Sequence, residues 1–388
     1  MMDFRNVVYF LFFSSVFCQT DIDFSILGPY QVEIYGGEIN PNGDSVTDYK
    51  VFEPMGNLIY ASHLILSHGF SRNQNVMKNL AEHYASWGIL TITMNLLHSS
   101  LFDNNPTQDA LDLVYLSNQF GGGVIYAGQS SGGMRSVLAA SIDTNAVAAF
   151  GLDLVDLEVN GYYLALNSVL DLAIPVWGLL GEPGDCNEDG NGLPTYENAP
   201  NGNALRIIEA DHCDFEDPTN LFCRALCQGT NEQFTNDEIR SVIRSLSTAF
   251  FLWKSGINEA GELWWNPGEG PYDELLNDGS ITQLTMLHNF QTELNLNEYK
   301  LYPNYPNPFN PITNIRYSLN NESNVNLIVY NLMGNKVRVL VDGYQGKGEK
   351  TVQWDALDDF GKKVGSGVYY YVMYTNYHQE IKKMVLLK

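Results

Sequence analysis

The sequence predicts two domains: an α/β domain built on a mostly parallel central sheet, then a small immunoglobulin-like all-β sandwich. Three observations predict them. Residues 30–256 alternate short β-prone runs with stretches of helical length, the succession that specifies a parallel sheet covered on both faces. Residues 301–388 hold only short alternating runs punctuated by glycine-bearing turns, as a sandwich does. Charge changes at the same boundary, from 11 Lys+Arg against 38 Asp+Glu up to residue 300 to 10 against 7 beyond it.

The chain opens on Arg5, an apolar run over 7–13, and the small and apolar residues 14–18. That order reads as an export signal, 1–18, ending after Cys18, with a lipid-bearing Cys18 as the alternative. The run is too short for a membrane span, and no other segment is long and apolar enough. So acidic a first domain would be repelled by nucleic acid and by anionic membrane surfaces. Beyond Cys18 lie Cys186, Cys213, Cys223 and Cys227, an even number that suits disulfides in an exported chain. Three pairings are open. Cys186–Cys213 with Cys223–Cys227 would tie two loops of the expected active site together.

Strands are expected at 49–52, 63–66, 88–94, 124–127, 146–152, 174–180 and 205–208. Helices are expected at 73–87, where Val76, Leu80 and Tyr84 share a face, and at 107–120, 134–141 and 237–254. The domain is placed at 19–256. Residues 257–300 are turn-rich and acidic, a tail and linker in which Trp264 and Trp265 are expected to pack on the core. Strands of the sandwich, 301–388, are expected at 313–319, 324–330, 336–340, 350–354, 367–374 and 380–387.

Chemistry concentrates in Gly128-Gln129-Ser130-Ser131-Gly132-Gly133, which follows one expected strand and opens a helix. G-x-S-x-G in that context is a nucleophile elbow, a bend so tight that small residues must flank the serine while its Oγ is lifted clear. Ser130 is therefore the expected nucleophile. Ser131 supplies one oxyanion N–H, and Phe70, in the loop Ser67-His68-Gly69-Phe70-Ser71, supplies the other. His68 precedes the nucleophile and is read as structural. The expected base is His212, in the loop after the strand at 205–208, and His378 belongs to the other domain. Two carboxylates compete as the acid, Asp153 at the end of one strand and Asp185 after the next. Asp185, Asn187 and Asp189 also resemble the start of a calcium loop, although position twelve is Tyr196 and no flanking helices are evident. No cofactor is required by this chemistry.

Residues 60–256 resemble the chlorophyllase and platelet-activating-factor acetylhydrolase branch of the α/β-hydrolases, with polyester hydrolases and cutinases as more distant relatives. The resemblance rests on SHGF, AGQSSGG, FGLDLVD, IPVWGLLGE and HCDFEDPTNLFCRALCQG. It implies a serine esterase working through an acyl-enzyme, and the histidine loop favours Asp153 as the acid. The acidic loop at 182–202 departs from chlorophyllases, so lipid, short-chain and polyester esters all stay open as substrates. A non-catalytic adhesin on the same scaffold is the competing expectation. The block at 301–388, through YPNPFNP, VYNLMGNKV and GVYYYVM to KKMVLLK, resembles the C-terminal sorting domain of the type IX (Por) secretion system. That resemblance implies secretion machinery as a partner, and release or display at the outer-membrane surface of a Gram-negative bacterium.

Overall fold

The structure, a computed structural model, describes residues 22–387 except 42, 44, 57, 59, 160–162, 220–222, 225–226, 228, 230–231, 269, 286–298, 320–321, 333–334 and 376–378. The export segment, the end of the linker and His378 lie outside the described residues.

Among the described residues, nine strands form one mixed sheet in the order β1-β2-β4-β3-β5-β6-β7-β8-β9. Its centre is parallel: β4 (Thr91–Met94), β3 (Ser62–Ser67), β5 (Gly123–Gln129), β6 (Ala146–Leu152), β7 (Val176–Leu180) and β8 (Gly202–Ile207). β3, β4 and β7 are buried at every residue, because helices cover both faces and leave no polar side to the strands. β1 (Val32–Ile39) and β2 (Thr47–Pro54) add an antiparallel hairpin at one edge, and β9 (Ile281–Gln283) pairs antiparallel with β8 at the other. The sheet thus continues well past residue 256, and Trp265 is buried against Phe150, Trp177 and Phe250.

Two apolar layers sandwich the sheet. One holds α1 (Lys78–Ser86) and α6 (Asn236–Lys254), whose Phe250 and Phe251 meet Phe150 of β6. The other holds α2 (Pro106–Ser117), α3 (Ser131–Ile142) and α4 (Leu164–Val169). The short α5 (Leu193–Asn198) and α7 (Pro271–Asn277) also belong to the first domain.

The second domain is all-β. Three strands, β10 (Tyr299–Leu301), β11 (Thr313–Leu319) and β14 (Gly348–Trp354), face four, β13 (Lys336–Gln345), β12 (Ser323–Asn331), β15 (Gly367–Tyr374) and β16 (Gln379–Leu386). Every pairing is antiparallel, and Trp354, Tyr371 and Phe309 fill the space between the sheets. Tyr370 of β15 points the other way, into the apolar layer of α2 and α3, and Lys383 Nζ donates to Thr144 Oγ1 at 2.9 Å. Among the described residues, no helix is long and apolar enough to cross a membrane.

Candidate active site

β5 passes into α3 with Ser130 alone between them. Ser130 sits at φ 56°, ψ −131°, a strained conformation for a residue with a side chain. Its N–H donates to Leu152 O at 3.0 Å, and its carbonyl accepts from the Gly133 N–H at 2.9 Å. The bend brings the chain before and after it into contact. A Cβ on Gly128 would lie 2.5 Å from the Gly132 carbonyl carbon, and one on Gly132 would lie 2.3 Å from His68 O. Only glycine fits at either place, which is why the motif spaces them around the serine.

The loop after β3 packs on this bend. A Cβ on Gly69 would meet Ser130 Cβ at 3.0 Å, so the Phe70 peptide lies beside the serine. Ser131 is the first residue of α3, where an N–H has no acceptor within the helix. Among the described residues, the N–H groups of Phe70 and Ser131 donate to nothing. His68 is 1 % exposed; its Nδ1–H donates to Gly69 O at 2.8 Å and its Nε2 accepts from the Leu96 N–H at 3.0 Å. Burial pushes its imidazole down to about 4. Both ring nitrogens are engaged, so His68 is a neutral strut of the loop.

His212 opens a 3-10 turn, His212–Phe215, after β8, and Asp211 caps that turn by accepting from the Cys213 N–H. Its Nδ1–H donates to Asp153 Oδ2 at 2.6 Å, short as charge-assisted bonds are. Asp153 follows β6 at φ 48° and is fully buried. Its Oδ1 accepts from the Gly181 N–H at 3.0 Å, and Asn187 Nδ2 lies 3.2 Å from each of its oxygens. Asp185 is exposed at the start of the turn Asp185–Gly190 and lines a cavity with His212, but it is Asp153 that bonds the ring.

Asn187 also anchors its own loop. Its Oδ1 accepts from the N–H groups of Gly184 and Gly190 at 2.9 and 3.1 Å, and its Nδ2 also donates to Glu182 O. Its polar atoms therefore serve the loop, and it has no oxygen turned outward to join the exposed Asp185 and Asp189 around calcium. Among the described residues, the cluster of metal-ligand type is Cys213, Cys223 and Cys227, and all three are oxidised. The bridges are Cys186–Cys227 and Cys213–Cys223, a pairing the spacing alone left open. Replacing Cys186 and Cys227 together by Ser is expected to lower stability by roughly 2–4 kcal/mol, because it frees a long loop in the unfolded chain; the midpoint of thermal unfolding checks this.

The cavity beside His212 has a volume of about 540 Å³ and is lined by the carboxylates of Glu182, Asp185, Glu209, Asp211 and Glu232. N–H groups of Phe234, Gln233 and Glu232 hold the Glu209 carboxyl below its ordinary range. Burial pushes Asp214 up to about 6, with Asp211 beside it acting in the same direction.

Two features escape a reading of the sequence. Arg135 and Asp109 are both fully buried and paired at 2.6 Å. Arg135 also reaches Ser131 O, His98 O and Asn104 Oδ1, which ties the loop after β4 to the first turn of α3. Their signal was a charge in the apolar stretch of each helix. The second is Gln129, the residue before the serine, whose Nε2 lies 3.1 Å from His212 Nε2. Among the described residues, the Ser130 hydroxyl itself bonds to nothing, and it is Gln129 that faces the open side of the ring.

Residues 312–379 match the FlgD Ig-like domain. The Ig-like domain so matched runs from the start of β11 to the first residue of β16 and contains none of the residues gathered around Ser130. No curated protein matches the chain.

Proposed function

We propose that the first domain is a serine hydrolase of the α/β-hydrolase fold that cleaves carboxylic esters. The observation that carries this reading is the buried Asp153 carboxylate bonded to His212 Nδ1, next to a serine held in a strained strand-to-helix bend. In the proposed reaction Ser130 Oγ attacks the ester carbonyl while His212 Nε2 takes its proton. Asp153 keeps the ring in the tautomer with Nδ1–H and stabilises the imidazolium that forms. The N–H groups of Phe70 and Ser131 receive the oxyanion, His212 returns the proton to the leaving alcohol, and water repeats the sequence to release the acid. An ester rather than an amide, and the lipid, short-chain or polyester class, rest on the resemblance of the motifs.

The Ig-like domain is proposed to be the sorting module of type IX secretion, and the protein to act outside the cell or at the outer-membrane surface. Two disulfides are consistent with such a compartment.

Labelling with a fluorophosphonate tests the enzymatic reading. The wild-type chain is expected to become covalently labelled and Ser130→Ala to stay unlabelled. A wild-type chain that takes no label would favour a binding protein on the same scaffold.

A further inference from the structure

Gln129 is the last residue of β5 and only 1 % exposed. Its carboxamide lies against His212 in a defined orientation. Nε2 is 3.1 Å from the ring Nε2 and 3.4 Å from the His212 carbonyl oxygen. The carbonyl is an acceptor under any protonation, so the amide nitrogen, not the oxygen, belongs on this side. The orientation leaves Gln129 Oε1 buried with no hydrogen-bond partner, on the side where a Cβ at Gly69 would crowd it at 2.4 Å. Buried acceptors are rarely left so. The contact with His212 therefore decides how this side chain sits.

We propose that Gln129 is a positioning residue for His212, which grips the Nε2 edge of the ring as Asp153 grips Nδ1. The proposal rests on the reading of His212 as the base. Nδ1 carries the proton shared with Asp153, so Nε2 presents a lone pair, and the Gln129 N–H points at it. An N–H donor there favours the neutral ring and opposes the imidazolium, whose own Nε2–H would meet it head-on. Gln129 thus holds the ring in place as a neutral imidazole, at the position that the Ser130 hydroxyl must take over before its proton can move. The other charged groups around the ring are acidic or already paired. Asp153 bonds it, Glu182, Asp185, Glu209, Asp211 and Glu232 line the cavity it faces, and Arg206 and Arg240 pair with Glu182 and Asp214. The carboxylates favour a positive charge on the ring, and the two guanidiniums, each paired with an acid, oppose it. Among the described contacts of the ring, Gln129 is the group that opposes that charge.

The test is a pH titration of His212 in the full chain, read by NMR with histidine-selective labelling, in wild type, Gln129→Met and Gln129→Glu. Met keeps the length of the side chain and removes the N–H, and Glu places a second carboxylate at Nε2. The midpoint is expected to rise by about half a pH unit or more in Gln129→Met, and further in Gln129→Glu. The rate of fluorophosphonate labelling is expected to follow, with its acid limb displaced upward in the same order. A midpoint in Gln129→Met that stays put or falls would overturn the proposal, whatever the labelling does. A rise without labelling in any variant would keep the Gln129–His212 contact and remove the esterase reading instead. Native tryptophan fluorescence in each variant identifies a chain that has failed to fold, and Gln129→Leu then replaces the Met variant.

Discussion

Asp153→Asn is expected to lower kcat on a p-nitrophenyl ester by about 10³–10⁴-fold. The carboxylate accepts from His212 Nδ1, from the Gly181 N–H and from Asn187 Nδ2, all donors. An amide in its place must turn an NH₂ toward at least one of them. The cheapest escape is to present that NH₂ to Nδ1, which makes Nδ1 the acceptor and leaves the proton on Nε2. A ring protonated there cannot take a proton from Ser130. Binding of the ester involves none of these atoms, so the loss should fall on kcat and leave KM close to wild type. Asp185→Asn serves as the comparison, because its exposed carboxyl shares the cavity without bonding the ring, and it should retain turnover near that of wild type. Loss of activity in Asp185→Asn alone would reverse the assignment of the acid.

The second large effect concerns folding. Arg135→Met is expected to destabilise the first domain by about 3–5 kcal/mol, the usual cost of leaving a buried charge without its partner. Burial already pushes the Asp109 carboxyl above its ordinary range, and the guanidinium and the His98 N–H oppose that. Without Arg135, burial acts almost alone, and the bonds to His98 O, Asn104 and Ser131 O are lost as well. Arg135→Met combined with Asp109→Leu removes both charges and should recover part of the loss. Urea unfolding followed by tryptophan fluorescence reads this domain almost selectively, since five of the six tryptophans lie before residue 300. A single variant as stable as wild type would mean that the pair contributes nothing net.

What the sequence made legible is what short-range chemistry specifies. The parallel strands could be read because a strand buried on both faces is a largely apolar run, as in β7. β1 was invisible because it is an exposed edge strand with polar residues, and β9 because three residues after a turn-rich stretch carry no period. The bend at Ser130 was legible because its glycines contact one another across four residues. Between Asp153 and Asp185 only the resemblance of the histidine loop favoured the first, since β6 and β7 are neighbours with Leu152 opposite Leu179, so both strand ends open toward the same histidine. The turn at Asp153 and the donors Gly181 and Asn187 aim its carboxylate at the ring, and they come from three separate segments. Gln129 carried no signal at all, because a variable position of a motif shows its role only when a partner 83 residues away is placed beside it.

The two disulfides lie immediately next to the acid–base pair. Cys213 follows His212 in the chain and Cys186 precedes Asn187, the residue that steadies Asp153. The bridges thereby fasten the two loops that carry His212 and Asn187. A newly made chain with free thiols would carry every residue of the machinery but lack the covalent ties that hold two of them in place. On the proposed reading of the site, full activity would then wait on formation of the two bridges.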